Sequence, residues 1–170
     1  MRLSELNQHS ESDAELLFMQ CCTSSNWSKR MVSGRPYKNI TTLKSEANSF
    51  WEKASESDFL QAFEGHPKIG NIDSLREKYS STKALASGEQ SSVSQASEQV
   101  ITDLATGNEE YLKKFGFIFI VCATGKSALE MLVMLQNRII NERNVELINA
   151  AEEQRKIFQI RLDKLLETSE

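Results

Sequence analysis

The stretch KFGFIFIVCATGKS, from Lys114 to Ser127, decides the fold class of this chain. An apolar run that leads into Gly-Lys-Ser is how the phosphate-binding loop of a nucleotide-binding α/β protein begins. Such a loop also needs a glycine five residues before the Gly-Lys pair, so that the backbone can curl and direct its N–H groups at phosphate oxygens. Ile120 occupies that position, and no other clear strand pattern is present to form a parallel sheet around the run. We therefore reject the nucleotide-binding fold.

Apolar residues at helical spacing account for the rest of the chain. We predict an all-α protein, a single-domain compact helical bundle over residues 1–170, in which FGFIFIVCA is the one ambiguous piece. The first predicted helix begins at Ser12 with a capping box to Glu15, and others begin at Ile40 and Ile72. A helix from Ser57 ends at Gly65 in a left-handed cap, and a helix from Val93 ends at Gly107, after which Asn108 is a new cap. The last two helices begin near Thr124–Ser127 and at Asn144, and the first of these two carries Leu129, Leu132, Val133 and Gln136 on one face.

The serine-rich stretch SSTKALASGEQSSVSQAS separates two of these helices. Its composition is typical of a flexible surface loop. The residues Thr124–Ser127 also allow two interpretations. Their N–H groups suit a carboxylate or a urea carbonyl at a helix start, or they serve ordinary helix capping.

The charge and cysteine content limit the partners and the compartment. The net charge is −4 with acids and bases interspersed, so we expect no nucleic acid and no membrane as a partner. The three cysteines, two of them adjacent at Cys21 and Cys22, form no metal-binding spacing and predict a reduced protein. The N-terminus lacks the apolar segment of a secretion signal. We predict a cytoplasmic protein whose partner is a small molecule or another protein.

The chain has only two histidines, His9 and His66. His66 is the better catalytic candidate, because Pro67 fixes its own φ and disfavours helix at His66, which holds the imidazole on a stiff backbone. The alternative is a capping or surface histidine. Arg161 follows Phe158 by three residues, which could aim it partly inward. Such an arginine either pairs with a buried acid, binds an anionic ligand, or lies on the surface.

Four motifs in this order resemble one family: FEGHPKIG, GEQ, NEEYLKKFGFIFIVCATGKSA and KIFQIRLDKL. The segment CCTSSNWSKRMVSGRPY adds a small-residue turn and a tryptophan before Arg-Pro-aromatic. Together they look like the 2-oxo-4-hydroxy-4-carboxy-5-ureidoimidazoline (OHCU) decarboxylases of uric acid degradation, over nearly the whole chain. The resemblance implies a helical bundle of the OHCU decarboxylase type, a homodimer, no metal or organic cofactor, and OHCU as the small-molecule substrate.

The resemblance also implies the roles of particular residues. It makes His66, Glu89 and Arg161 catalytic, with His66 as general acid, Glu89 orienting it and Arg161 holding carboxylate or carbonyl oxygens. The substrate-binding residues that it implies are Pro67, Ala86, Ser87, Gln90, Phe119, Ile120, Val121, Cys122 and Ala123.

The sequence departs from the family pattern at one position. The family usually has serine three residues before the glutamate, where this chain has Ala86 with Ser87 next, so that polar contact is either missing or supplied by Ser87. A second Glu-Gln pair begins at Glu98, which falls opposite the apolar face of its helix and is interpreted as a surface residue. The rival readings are a non-catalytic allantoin- or purine-binding relative and a helical interaction protein without a small ligand.

Overall fold

All regular secondary structure in the described part of the chain is α-helical, which confirms the all-α prediction. The computed structural model describes residues 1–67, 72–79 and 90–166, apart from the side chains of residues 78 and 90–97. The helices within these ranges are α1 (Leu3–Gln8), α2 (Glu11–Cys21), α3 (Ser25–Ser33), α4 (Ile40–Glu52), α5 (Glu56–Glu64), α6 (Ile72–Tyr79), α7 (Gln90–Phe115), α8 (Ala128–Ile139) and α9 (Arg143–Leu166). None of them combines the length and the apolar character needed to cross a membrane.

The chain forms two compact units. The first unit contains Met1–His66 and Leu147–Glu170, and the second contains Pro67–Glu146. Helix α9 therefore begins in the second unit and contributes most of its length to the first. The assignment of residues 1–170 to a single domain stays a prediction.

The core of the first unit is aromatic. The ring of Trp27 lies 5.0 Å from that of Phe158 on α9, and its indole Nε1 donates to the carbonyl of Ala47 at 3.0 Å. The Nε1 of Trp51 likewise donates to the carbonyl of Ala151 at 2.9 Å. Large aromatic side chains contribute much buried apolar area, and their polar atoms require partners when buried. These contacts anchor the middle of α9 against α3 and α4.

The second unit contains a close crossing of α7 and α8. A Cβ added at Gly107 would lie 2.6 Å from Cδ2 of Leu135, so the two helices approach each other over a residue without a side chain. The predicted helix end at Gly107 and the predicted cap at Asn108 are therefore wrong. Helix α7 continues to Phe115, and the Nδ2 of Asn108 donates to the carbonyl of Leu104 within the helix.

Two helix starts lie two residues before their predicted caps. Ser10 caps α2 by accepting from the N–H of Asp13, and Ser55 caps α5 in a capping box with Asp58. Both regions contain two serines separated by a glutamate, and the earlier serine in each case has an aspartate three residues later that completes the cap. The structure uses the earlier serine in both cases, which gives the longer helix.

Gly65 ends α5 in a right-handed conformation, with φ −72°, so the predicted left-handed cap is wrong. A Cβ at this position would lie 2.2 Å from Oγ1 of Thr23. Glycine is required here because the end of α5 lies directly against the turn between α2 and α3.

The buried face of α8 differs from the predicted one. Met131, Leu132 and Leu135 are buried, whereas Leu129 and Val133 are 57% and 46% exposed. Apolar residues occur around much of this helix, so two faces about 100° apart fit the periodicity about equally well. Packing against α7 selects the face.

Candidate active site

His66 lies immediately beyond the end of α5, as predicted. Its backbone N–H donates to the carbonyl of Phe63 at 3.2 Å, which continues the last turn of the helix by one residue. The neighbouring Pro67 is exposed. His66 is half-buried, and its backbone is tied to the last turn of α5 by this hydrogen bond.

The ring of His66 contacts Gln154 of α9. Its Nε2 lies 2.5 Å from Oε1 of Gln154, and Gln154 is fully buried. An amide oxygen can only accept a hydrogen bond, so Nε2 of His66 is the donor in this arrangement. This hydrogen bond favours the neutral tautomer that carries its proton on Nε2 and leaves the lone pair on Nδ1.

Three effects act on the pKa of His66. Burial lowers it, the hydrogen bond to Gln154 raises it, and the positive charge of Arg161 lowers it. Burial is the largest effect, so the pKa lies below its ordinary value. The neutral ring is correspondingly favoured, and Gln154 opposes this effect because it stabilises the protonated form.

Arg161 is half-buried on α9, seven residues after Gln154. This spacing puts both side chains on the same face of the helix, about two turns apart. Its Nη1 lies 3.3 Å from the carbonyl of Cys21 and 3.4 Å from that of Gln20, at the C-terminal end of α2, where a cation is favoured by the helix dipole. Among the described residues Arg161 forms no ion pair, so the predicted alternative of a buried acid partner is not observed there.

Cys21 and Cys22 lie next to this region as buried free thiols. Burial raises the pKa of Cys21 to about 11, against the lowering effect of Arg161. Burial also raises the pKa of Cys22, and the neighbouring Cys21 adds to that effect. Both thiols therefore stay protonated at neutral pH and are not nucleophiles.

In the second unit the segment from Phe119 to Ala123 is an irregular connection between α7 and α8. Apart from Phe115, which ends α7, the ambiguous piece FGFIFIVCA is therefore neither helix nor strand. Two cations hold its backbone. Arg138 donates from Nη1 to the carbonyl of Ile120 at 2.6 Å, and Lys126 donates from Nζ to the carbonyl of Cys122 at 2.9 Å.

Arg138 is itself held by a buried network that the sequence reasoning missed. Its Nε donates to Oε1 of Glu146, which is fully buried. The same carboxylate accepts from Oη of Tyr111 at 2.6 Å and from Nδ2 of Asn141 at 3.1 Å. The guanidinium lies 4.7 Å from the ring centroid of Phe119. The available sequence signal was Tyr111, a member of the N-x-x-Y-x-x-x-F-G-F motif with a polar group in an apolar context.

The start of α8 shows ordinary helix capping. Ser127 and Glu130 form a capping box, in which the N–H of Ser127 donates to the Glu130 carboxylate at 2.7 Å. This backbone hydrogen bond is the first cause of the lowered pKa of Glu130. The helix begins at Ala128, later than predicted, because Gly125 adopts a left-handed conformation with φ +74°.

The remaining predicted site residues are only partly described. Ala86, Ser87 and Glu89 lie outside the described residues, as does the side chain of Gln90. The backbone of Gln90 opens α7, so the helix begins three residues before the predicted start at Val93. Among the described side chains, no group of three or more histidine, cysteine, aspartate or glutamate residues is arranged to hold a metal ion.

Comparison with known proteins assigns the chain to a family. The family model described as OHCU decarboxylase matches residues 7–163. This chain belongs to the OHCU decarboxylase family. The resemblance read from the four motifs is thereby confirmed.

Individual relatives agree with this assignment. The chain is 36% identical over 145 residues to the uric acid degradation bifunctional protein TTL of Arabidopsis thaliana, covering 85% of this chain and 45% of the relative. It is 24% identical over 163 residues to the 2-oxo-4-hydroxy-4-carboxy-5-ureidoimidazoline decarboxylase of Haloferax volcanii, covering 95% of this chain and 94% of the relative. The chain thus spans less than half the length of the plant bifunctional protein.

A solved structure shows the same fold. The crystal structure of an OHCU decarboxylase in the presence of (S)-allantoin has 33% sequence identity and a TM-score of 0.71, covering 94% of this chain and 100% of that chain. The predicted helical bundle of the OHCU decarboxylase type is confirmed by this similarity.

Proposed function

We propose that this protein is a carboxy-lyase that converts OHCU to (S)-allantoin in uric acid degradation. The observation that carries the proposal is the half-buried His66, bound through Nε2 to a buried amide, in a chain of the OHCU decarboxylase family. A histidine can both give and take a proton near neutral pH. The relatives named as OHCU decarboxylases support the choice of substrate.

The chemistry of the substrate explains why placement and proton control suffice. The carbon that loses CO₂ carries a hydroxyl and adjoins a C=N bond of the imidazoline ring. When the C–C bond to the carboxylate breaks, its electron pair flows toward the ring nitrogen and CO₂ leaves. The substrate is its own electron sink, so we propose that no metal or organic cofactor takes part.

The second step sets the stereochemistry. The neighbouring ring carbon must gain a proton on one face to give (S)-allantoin. We assign this proton to His66 as general acid, with Glu89 orienting the ring and Arg161 holding an oxygen of the substrate through its guanidinium. The proposed substrate-binding residues are Pro67, Ala86, Ser87, Gln90, Phe119, Ile120, Val121, Cys122 and Ala123.

Three further properties belong to the same proposal. We propose that residues 1–170 act as one domain, that the enzyme is a homodimer and that it is cytoplasmic. Neither nucleic acid nor membrane is a proposed partner. Light scattering of the purified chain measures the oligomeric state, and a mass of one subunit would refute the dimer.

The decisive experiment is circular dichroism of allantoin formed from freshly generated OHCU. The proposed enzyme gives enantiomerically enriched (S)-allantoin faster than the spontaneous reaction. A non-catalytic allantoin- or purine-binding relative, the alternative function, would leave the spontaneous rate and the racemic product unchanged. Activity that survives treatment with a metal chelator supports the absence of a metal, and its loss would contradict it.

A further inference from the structure

We propose that Gln154 is a positioning residue, which keeps the ring proton of neutral His66 on Nε2 and so makes Nδ1 the nitrogen that exchanges a proton with the substrate. This inference rests on the proposed function and names a residue and a ring nitrogen that the family motifs do not assign.

The first observation is that the side chain of Gln154 is costly to bury. Gln154 is fully buried, and its Oε1 contacts His66. Its Nε2 has no hydrogen-bond partner in the described structure. A buried donor without a partner lowers the free energy of unfolding, because its desolvation is not compensated. An apolar side chain of similar volume would avoid this cost, so stability does not explain the glutamine.

The second observation is that α9 holds Gln154 in place from both sides. Ala151, three residues earlier, accepts the hydrogen bond of the Trp51 indole, and Phe158, four residues later, packs against Trp27. Residues three and four apart share a face of a helix. The amide is therefore presented to His66 by a part of the helix that the aromatic core fixes.

The third observation is electrostatic. Burial and the Arg161 charge both lower the pKa of His66, and the hydrogen bond to Gln154 raises it. Arg161 is the charged group of the described residues that acts on the ring, since the nearby thiols of Cys21 and Cys22 are held protonated by burial. Gln154 therefore preserves the ability of His66 to carry the proton that a general acid must deliver.

The tautomer can be measured without substrate. In ¹⁵N-labelled protein, two-bond ¹H–¹⁵N correlations of the imidazole distinguish the two neutral tautomers, and His9→Asn assigns the remaining signal to His66. We expect the Nε2–H form in the wild type and a mixture of both forms in Gln154→Met. Gln154→Glu retains an acceptor but raises the pKa of His66 through its negative charge, so we expect the Nε2–H form again in that variant at a pH where its ring is neutral. Predominance of the Nδ1–H form in the wild type would overturn the inference.

Gln159 supplies a matched control on the same helix. Its Nε2 donates to Oδ1 of Asn48 at 2.7 Å and to the carbonyl of Lys44 at 3.0 Å, and its Oε1 is buried without a partner among the described residues. Gln159→Met thus removes a partly unsatisfied glutamine amide that does not contact His66. We expect this variant to keep the wild-type tautomer, kcat and pH profile.

The kinetic test separates positioning from structural support. We expect Gln154→Met to fold with wild-type or higher stability and to lower kcat on the order of tenfold, below the full contribution of an acid–base group because His66 remains, with KM within about twofold. The reduction of kcat in this variant should become smaller as the pH is lowered. Without the hydrogen bond the pKa of His66 falls further, so a lower pH is needed to protonate the ring.

The outcomes distinguish this inference from the proposed function. Racemic allantoin from the wild type at the spontaneous rate would refute the function. An active wild type whose Gln154→Met variant keeps the Nε2–H tautomer, kcat and pH profile would refute the positioning role alone.

Discussion

Two clusters of polar side chains, one in each unit, differ in how completely they are hydrogen-bonded. In the second unit the carboxylate of Glu146 accepts hydrogen bonds from Tyr111, Arg138 and Asn141. In the first unit His66 has one described side-chain partner, Gln154, whose amide nitrogen has none. A fully paired buried network stabilises one arrangement of its neighbours, whereas an incompletely paired buried group costs stability and indicates a candidate functional position.

This difference indicates that the two clusters have different roles, one structural and one catalytic. The paired network ends at the backbone, because Arg138 donates to the carbonyl of Ile120 and thereby holds a segment proposed to bind the substrate. The histidine is instead set in a position where burial and charge act on its pKa. Substitutions in the Glu146 network should therefore reduce stability first, and those around His66 should reduce activity first.

The largest effect is expected for Glu146→Ala. It leaves the guanidinium of Arg138, whose side chain is 11% exposed, without its charge partner. Removing one member of a buried ion pair lowers the free energy of unfolding by about 3–5 kcal/mol. Urea denaturation measures this loss. Glu152→Ala is the control, since Glu152 forms an exposed ion pair with Arg155 and should change stability by about 0–1 kcal/mol. Equal effects of the two substitutions would show that the buried network stabilises the fold no more than an exposed ion pair does.

His66→Asn should show the opposite pattern. We expect the fold to persist and the stereospecific decarboxylation to fall by at least ~10²-fold, since the acid–base group is lost. Turnover and the circular dichroism of the product are the measurements, with His9→Asn as the control. Near wild-type turnover in the His66 variant would exclude His66 from the mechanism.

The two Glu-Gln pairs, which begin at Glu89 and Glu98, allow a comparison between a proposed catalytic glutamate and a surface glutamate nine residues away. Glu98 lies on α7 and pairs with Arg76 at 2.8 Å, with 36% of its side chain exposed. We expect Glu98→Gln to leave activity within about twofold, because a surface substitution usually costs under ~0.5 kcal/mol. Glu89→Gln should lower activity by more than ~10-fold if Glu89 orients His66. The reverse order in a steady-state assay would show that the wrong pair was assigned.

The smallest effect is expected for Arg161→Lys. A lysine keeps the charge but cannot reproduce the planar fork of donors, so we expect (S)-allantoin to bind about fivefold more weakly, or ~1 kcal/mol. Stability should change little. Calorimetric titration of the ligand tests this, and Arg155→Lys on the same helix is the control. An unchanged affinity would remove Arg161 from the ligand site.

Local signals predicted most of the helices but fewer of their faces. Ile40 and Ile72 begin helices as predicted, because each follows a clear break and opens a regular apolar repeat. The helix Ser25–Ser33 was missed, since its serines and charged residues resemble a turn when read without the aromatic core that buries Trp27. For the site, the position of His66 was predictable because Gly65 and Pro67 end a helix locally.

The sequence by itself determined the all-α class, the motifs of the family and the placement of His66 beyond a helix, because each depends on residues close together in the chain. Only the tertiary structure decided which face of α8 is buried, why Gly107 lies inside a helix, and that Gln154 contacts His66 from 88 residues away. These outcomes depend on close contacts between distant segments. Periodicity within a single helix therefore contains no information that selects them.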